Sequence, residues 1–334
     1  MKKYKMNIII LVSISIFIMY LIMKDNFDEI SQNILHANLL YILLGLLLVV
    51  VHILFQSLSM HLYLKEIDSN YRFKNTFILM FSALFFNAIT PFSSGGQPFQ
   101  VYILNKQGIK VTESTNAILQ NFLAYQISLI LLGTTAIIIN NNINIIPSSN
   151  VLKNIVLAGF IINVAVLLFI IFLGKAKNIN TKLFNKIFNF IFNLKVFRNK
   201  PGLKEKANKK IDEFYESNKY FKNNKFILLK SVLLNMCALL ILYSVPLLIF
   251  YSVGNNSINL LETIVCSSYT YFIGSFVPIP GGTGGLEYGF IEFFKKFSTP
   301  AILSSCMILW RFTTYYLTMI LGALSLLFVK KKVN

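Results

Sequence analysis

Charge is what this sequence has least of. Asp, Glu, Lys and Arg make up 13% of its 334 residues, against roughly 25% in a typical soluble domain. That shortage excludes an ordinary water-soluble globular protein. Cysteine is also sparse: Cys237, Cys266 and Cys306 all lie in apolar runs and share no metal-ligand spacing, so small hydrophobes are expected rather than a metal site or a disulfide framework. Nucleotide and hydrolytic signatures are missing too. There is no Walker A loop, no HExxH, no GxSxG and no carboxylate pair at helical spacing inside an apolar run. These gaps leave no visible catalytic apparatus and no nucleotide-driven pump, and no cofactor is expected. A small-residue cleavage site is absent after the first apolar run, Asn7–Met23, so it is expected to remain as a span rather than be removed as a signal peptide.

What is present is hydrophobic sequence, 55% of the chain with a mean hydropathy of +0.64. The reading is an all-α polytopic membrane protein, a single integral-membrane domain over 1–334 with about eight hydrophobic helical elements. The apolar runs fall near Asn7–Met23, Leu39–Leu62, Asn75–Ile89, Thr115–Asn140, Asn154–Gly174, Phe226–Val253, Ile258–Ser275 and Thr299–Val329. Asp25–Ala37 is expected along the interface. His52 and His61 lie in the second run, where a lone His is more often hydrogen-bonded than a ligand.

The net charge of +18 is not spread as nucleic-acid binding requires. Between Lys175 and Lys230 stand 15 Lys and Arg against 4 Asp and Glu. A basic connector of this kind marks a cytoplasmic loop, and its partner is anionic lipid headgroups rather than nucleic acid. Within it, Leu183–Phe197 reads as a helix lying in the headgroup layer and Leu203–Phe221 as a solvated helical continuation. With the C-terminal Lys330–Lys332, the pattern puts both termini on the cytoplasmic side of the cell membrane.

Two Pro/Gly/Ser stretches interrupt the apolar sequence: Thr90–Gln100, TPFSSGGQPFQ, and Phe276–Leu286, FVPIPGGTGGL. Backbone that leaves the helix within hydrocarbon must be buried in protein or face water. One such break per half of the chain points to a site near the midplane. The run before Pro91 is only about 15 residues long and has basic residues on both flanks, which predicts a re-entrant hairpin. Topology then places the second hairpin on the opposite face, with Lys295 and Lys296 outside. Opposed hairpins are what an inverted repeat produces.

Glycines 281, 282, 284 and 285 free backbone N–H groups at one point, where an anion can be held. Ser93, Ser94, Gly95, Gly96 and Gln97 can offer the same from the other hairpin. The competing reading is that these residues only turn the chain and admit close helix packing. Arg311 lies inside Ile302–Val329, a run without an acidic residue. A charge at that depth costs about 2.5–3.5 kcal/mol on insertion scales, so it must face a partner or water. Glu287 and Glu262 are the candidate partners, and Tyr315 and Tyr316 stand one turn beyond.

The stretches ITPFSSGGQPFQVYILNKQGI and PIPGGTGGLEYGF, with WRFTTYYLTMILG, resemble the lysylphosphatidylglycerol synthase transmembrane (flippase-like) family, the membrane half of the bacterial multiple peptide resistance factor. The resemblance spans about residues 5–330. It implies a helical bundle with interrupted helices that moves an aminoacylated phospholipid, such as lysyl-phosphatidylglycerol, or another anionic or isoprenoid lipid between leaflets. It also implies a lipid path lined by Gly95, Gly96, Gln97, Pro98, the turn Gly281–Gly285 with Gly282 and Gly284, Glu287 and Arg311; the reading of the residues themselves adds Ser93, Ser94 and Tyr315 as candidate lipid contacts. At Gln120, Asn121 and Phe122 this chain departs from a charged pair expected in some relatives. Lysyl transfer from charged tRNA to phosphatidylglycerol is the enzyme reading; it would require a separate aminoacyltransferase chain. A membrane scaffold acting through the basic connector, alone or in an oligomer, is the third reading.

Overall fold

The computed structural model describes residues 26–145, 150–175, 213, 224–275 and 277–330. The first apolar run and nearly all of the basic connector, with its two expected helices, lie outside those residues. A short interfacial helix, α1 (Phe27–Leu35), precedes the long α2 (Leu39–Ile67). Helices α3 (Phe73–Ala88) and α4 (Gly96–Lys106) flank the first break. The long helices α5 (Val111–Ile143), α6 (Asn150–Lys175) and α7 (Lys225–Ser252) follow. Helices α8 (Leu260–Gly274) and α9 (Gly285–Phe294) flank the second break, and α10 (Pro300–Phe328) closes the bundle. Among the described residues, α2, α5, α6, α7 and α10 are long and apolar enough to cross a membrane.

Local chemistry sets the ends of these helices. Asn38 caps α2 by accepting from Leu40 N at 3.0 Å, and Lys65, Glu66 and Asp68 end it. Asn144 closes α5 in the left-handed conformation, at φ 53°. Asn259 and Glu262 form a reciprocal capping box at the start of α8. Pro300 opens α10, where a missing N–H is harmless. Residues Phe312–Tyr316 then form a π-turn inside α10, a local widening frequent at functional sites.

Both breaks are hairpins, and they open at opposite ends of the bundle. At one end the Tyr71 hydroxyl, before α3, donates to Gln107 Oε1 (2.5 Å), after α4; Gln107 Nε2 donates to the Lys330 carbonyl (2.8 Å) beyond α10. At the other end Asn255 Nδ2, before α8, donates to the Phe297 carbonyl (3.0 Å), after α9. Asn38 N donates to Ser252 O at that end (2.7 Å), and α1 packs there against the start of α10. The first end carries Lys65, Arg72, Lys74, Lys106, Lys110 and Lys225; Lys153, Lys295 and Lys296 stand at the second.

The two halves repeat with inverted direction. Each is a long helix, a hairpin and a second long helix: α2, α3–α4, α5 and then α7, α8–α9, α10. Pro91 and Pro280, Gly96 and Gly285, the helix starts Val111 and Pro300, and Gly133 and Gly322 each stand 189 residues apart. The halves interlock: α2 packs along α7, α10 against α3, and α5 against α8. The last two contacts use matching glycines. A Cβ on Gly322 would meet Phe81 O and Phe85 N at 3.0 Å, and one on Gly133 would meet the Phe272 ring at 1.8 Å.

Helix lengths place the hairpin tips. At about 1.5 Å per residue, the 16 residues of α3 reach ~24 Å from the basic end and the 15 of α8 ~22 Å from the other. The 29-residue α2 is ~43 Å long on the same measure, so the tips must meet, and they do: Pro91–Ser93 lies against Pro280–Gly282.

Candidate functional site

The site is built on the second tip and the π-turn of α10. Gly281, Gly282 and Gly284 all have positive φ (67°, 64° and 90°), a region that side chains with a Cβ enter only at a cost. Space is a second constraint at Gly281, where a Cβ would lie 2.2 Å from the Tyr315 ring. The turn exposes the Gly281 carbonyl, which accepts from both Nη1 and Nη2 of Arg311 at 3.2 Å. Nη2 also donates to Thr283 Oγ1 (3.3 Å), and the Thr283 hydroxyl donates to Pro280 O (2.8 Å).

Of the two carboxylates considered for Arg311, the structure selects Glu287. Its Oε1 lies 2.8 Å from Arg311 Nε, with the N–H aimed off the line, so the contact is chiefly Coulombic. Its Oε2 accepts from Gly284 N at 2.7 Å. Arg311 and Glu287 are 3% and 5% exposed, and a pair this buried holds its charges only because each is also hydrogen-bonded. Glu262 is corrected as a partner: it is occupied in the α8 capping box at the far end.

Tyr315 ties the two tips together. The Arg311 guanidinium sits 4.3 Å from its ring centroid. Its hydroxyl donates to Ala88 O (2.9 Å), at the end of the first hairpin's first arm. Gly281, Gly282, Gly284, Glu287, Arg311 and Tyr315 therefore form one cluster. Gly285 supports it from the first turn of α9, where a Cβ would meet Val277 at 2.3 Å.

The first tip is arranged differently. Ser93, Ser94 and Pro98 are exposed, Gly95 and Gln97 half-buried and Gly96 buried. Among the described residues, no hydrogen bond joins Ser93, Ser94, Gln97 or Pro98 to Arg311. The expectation of free backbone donors also needs correction. Gly95 N donates to Thr90 Oγ1 and Gly96 N to Asn87 Oδ1, both at 2.8 Å. Gly282 N donates to Ile279 O (3.0 Å), and Gly284 N is taken by Glu287. An anion reaches these four donors only by displacing an internal acceptor.

Several contributors were not singled out in the sequence: Thr90 and Asn87, which stitch the first tip, and Thr283. A buried polar cluster joins α2, α5 and α7. There the Ser59 hydroxyl donates to Asn121 Oδ1 (2.7 Å) and accepts from Asn235 Nδ2 (2.8 Å), with Ser231 Oγ 2.6 Å away. Only Asn121 drew notice in the sequence. His52 and His61 are hydrogen-bonded, to Ala238 O (2.8 Å) and Thr76 Oγ1 (2.9 Å). Cys266 and Cys306 are buried as expected, whereas Cys237 is exposed on α7.

Comparison with known proteins agrees with this architecture. The family model described as "Lysylphosphatidylglycerol synthase TM region" matches residues 8–322. A UPF0104 membrane protein of Methanocaldococcus jannaschii is 24% identical over 343 positions, covering 99% of this chain and 96% of the relative. A second, from Archaeoglobus fulgidus, is 24% identical over 340 positions, covering 93% and 94%. The family match runs through both hairpins and Arg311, and the chain belongs to the lysylphosphatidylglycerol synthase transmembrane-region family.

Proposed function

We propose that this protein moves a phospholipid between leaflets of the cytoplasmic membrane. The observation that carries the reading is the meeting of two opposed hairpin tips at mid-depth over a buried Arg311–Glu287 pair. A packed structural bundle has no need of irregular backbone or charge there. A lipid crossing the bilayer needs both, because its headgroup must exchange water for protein at that depth.

The pair suits a headgroup carrying both signs. A lipid phosphate competes with the Glu287 carboxylate for the Arg311 guanidinium, and an aminoacyl ammonium such as that of lysyl-phosphatidylglycerol takes up the released carboxylate. Displacing Glu287 also frees Gly284 N, so headgroup entry loosens the second tip. Arg311 and Glu287 hold the headgroup, Tyr315 couples the two hairpins, and the acyl tails stay in lipid. An unmodified anionic or isoprenoid lipid would use the Arg311 half of the pair alone.

The test is exchange of labelled phosphatidylglycerol and lysyl-phosphatidylglycerol between leaflets of liposomes holding the purified protein. Wild type accelerates exchange, while Arg311→Ala and Gly284→Leu do not. Wild-type liposomes no faster than protein-free ones, for either lipid, refute the proposal.

A further inference from the structure

The two tips share one backbone conformation but not one kind of residue. After the paired prolines, two successive residues adopt positive φ: Gly281 and Gly282 in the second tip (67° and 64°), Phe92 and Ser93 in the first (53° and 51°). Glycine takes this conformation freely, and Phe and Ser do not. The second tip has a packing reason for glycine, since the Tyr315 ring fills the space. Among the described residues, the first tip shows no such packing over its side chains. Phe92 is 61% exposed and Ser93 is exposed as well. The strain is held in place by Thr90 and Asn87, which accept from Gly95 N and Gly96 N, and backbone strain fixed in this way clusters at ligand clamps and other functional sites.

Resting on the translocation reading above, we infer that the moving lipid also touches Phe92 and Ser93, before or after its headgroup meets the Arg311–Glu287 pair. The depth identifies the occupant. The tip lies ~24 Å from the basic end along α3, within a hydrocarbon layer about 30 Å thick. Irregular backbone at that depth is buried in protein or lines a watered path, so an exposed ring beside it borders the route of a headgroup, whose acyl chains trail in the adjoining hydrocarbon. Phe92 presents an apolar surface to the chains and the Ser93 hydroxyl presents a donor and an acceptor to the headgroup. The second tip carries the buried charge pair, and the first presents its side chains outward.

Two measurements test this. In the first, Phe92→Gly and Ser93→Gly relieve the strain, so each variant melts no lower than wild type in detergent. Each should nonetheless move labelled phosphatidylglycerol about tenfold more slowly, the effect of losing one contact of ordinary strength. Phe92→Ala keeps the backbone strain and loses the ring, and should also be slow. Glycine variants that exchange lipid at the wild-type rate overturn the inference.

The second measurement does not depend on transport. Vesicles of phosphatidylcholine and phosphatidylglycerol carry a diazirine on the acyl chain, and mass spectrometry locates adducts after illumination. Adducts within residues 91–94 support the contact; their absence there overturns it, whatever else covers the tip. A wild type that moves no lipid refutes translocation, and the adducts still decide whether lipid meets this tip.

Discussion

Removing the Arg311 guanidinium strands a carboxylate that is 5% exposed and leaves the Gly281 carbonyl without its donor. Breaking a buried pair on one side typically costs about 3–5 kcal/mol, whereas replacing both partners by apolar groups of similar size is often neutral. Arg311→Ala should therefore lower the thermal midpoint sharply, and Arg311→Met combined with Glu287→Met should recover most of the loss. Exchange should stay absent in the double variant, because no headgroup charge is met. Melting in detergent and liposome exchange, run on the same preparations, check both halves. Arg311 was legible in the sequence because a lone charge in an apolar run has no innocent explanation. Its partner was not, since Glu287 and Glu262 lie in the same stretch and only the fold decides which one faces α10. Thr90, Asn87 and Thr283 were illegible for another reason: Thr and Asn occur in membrane helices without function, and their hydrogen bonds depend on the turn they stabilise.

At the scale of elements, the hairpins were announced by proline, glycine and shortness. An apolar run of about 15 residues cannot cross, and Pro91 cannot continue it. The start of α4 was less visible. The helix begins at Gly96 and carries Gln97 and Pro98 in its first turn, residues that read as loop when taken singly. The mouth of this hairpin is held by Tyr71 through Gln107 to the end of α10. Burial, and secondarily the Asp68 charge, pushes the Tyr71 phenol well above 10. A phenol raised on folding stabilises the fold fully below its unfolded value of about 10, and that contribution is lost as pH climbs through the higher folded value. The thermal midpoint of wild type should thus show no titration from this group across the neutral range and fall in alkali. Tyr71→Phe should melt lower at neutral pH, by roughly the 1 kcal/mol of one hydrogen bond, and decline less steeply above pH 10. Parallel melts across the pH range, compared between the two proteins, check it.

Among the described residues, α2–α5 and α7–α10 form an inverted repeat that the sequence scarcely shows. At the spacing of 189, identity across the two tips reduces to the paired prolines and to Gly95–Gly96 with Gly284–Gly285. The rest differs because hydrocarbon accepts any apolar side chain, and only turn geometry and close helix approach demand particular residues. The charge pair differs too: the counterparts of Glu287 and Arg311 are Pro98 and Phe122. A fold with a near-symmetric backbone thus carries its ion pair on one side, and the symmetry makes orientation a sharp prediction. Lys65, Arg72, Lys74, Lys106, Lys110 and Lys225 gather at the mouth of the first hairpin with Glu66, Asp68 and Glu113, while Lys153, Lys295 and Lys296 lie with Asp28, Glu29, Glu262 and Glu292 toward the other end, so Lys and Arg are in excess at the first. Positive charge stays on the cytoplasmic side during insertion, so the first hairpin should open inward and the second outward. In a background with Cys237, Cys266 and Cys306 replaced, Ser257→Cys should react with a membrane-impermeant maleimide added to intact cells. Lys110→Cys, between α4 and α5 where the side chain is 75% exposed, should react only after the membrane is opened. The reverse pattern would turn the molecule over and assign the headgroup's point of entry to the other leaflet. Labelling of both from outside would contradict the opposed hairpins themselves, since no single placement in a bilayer exposes the two mouths to one side.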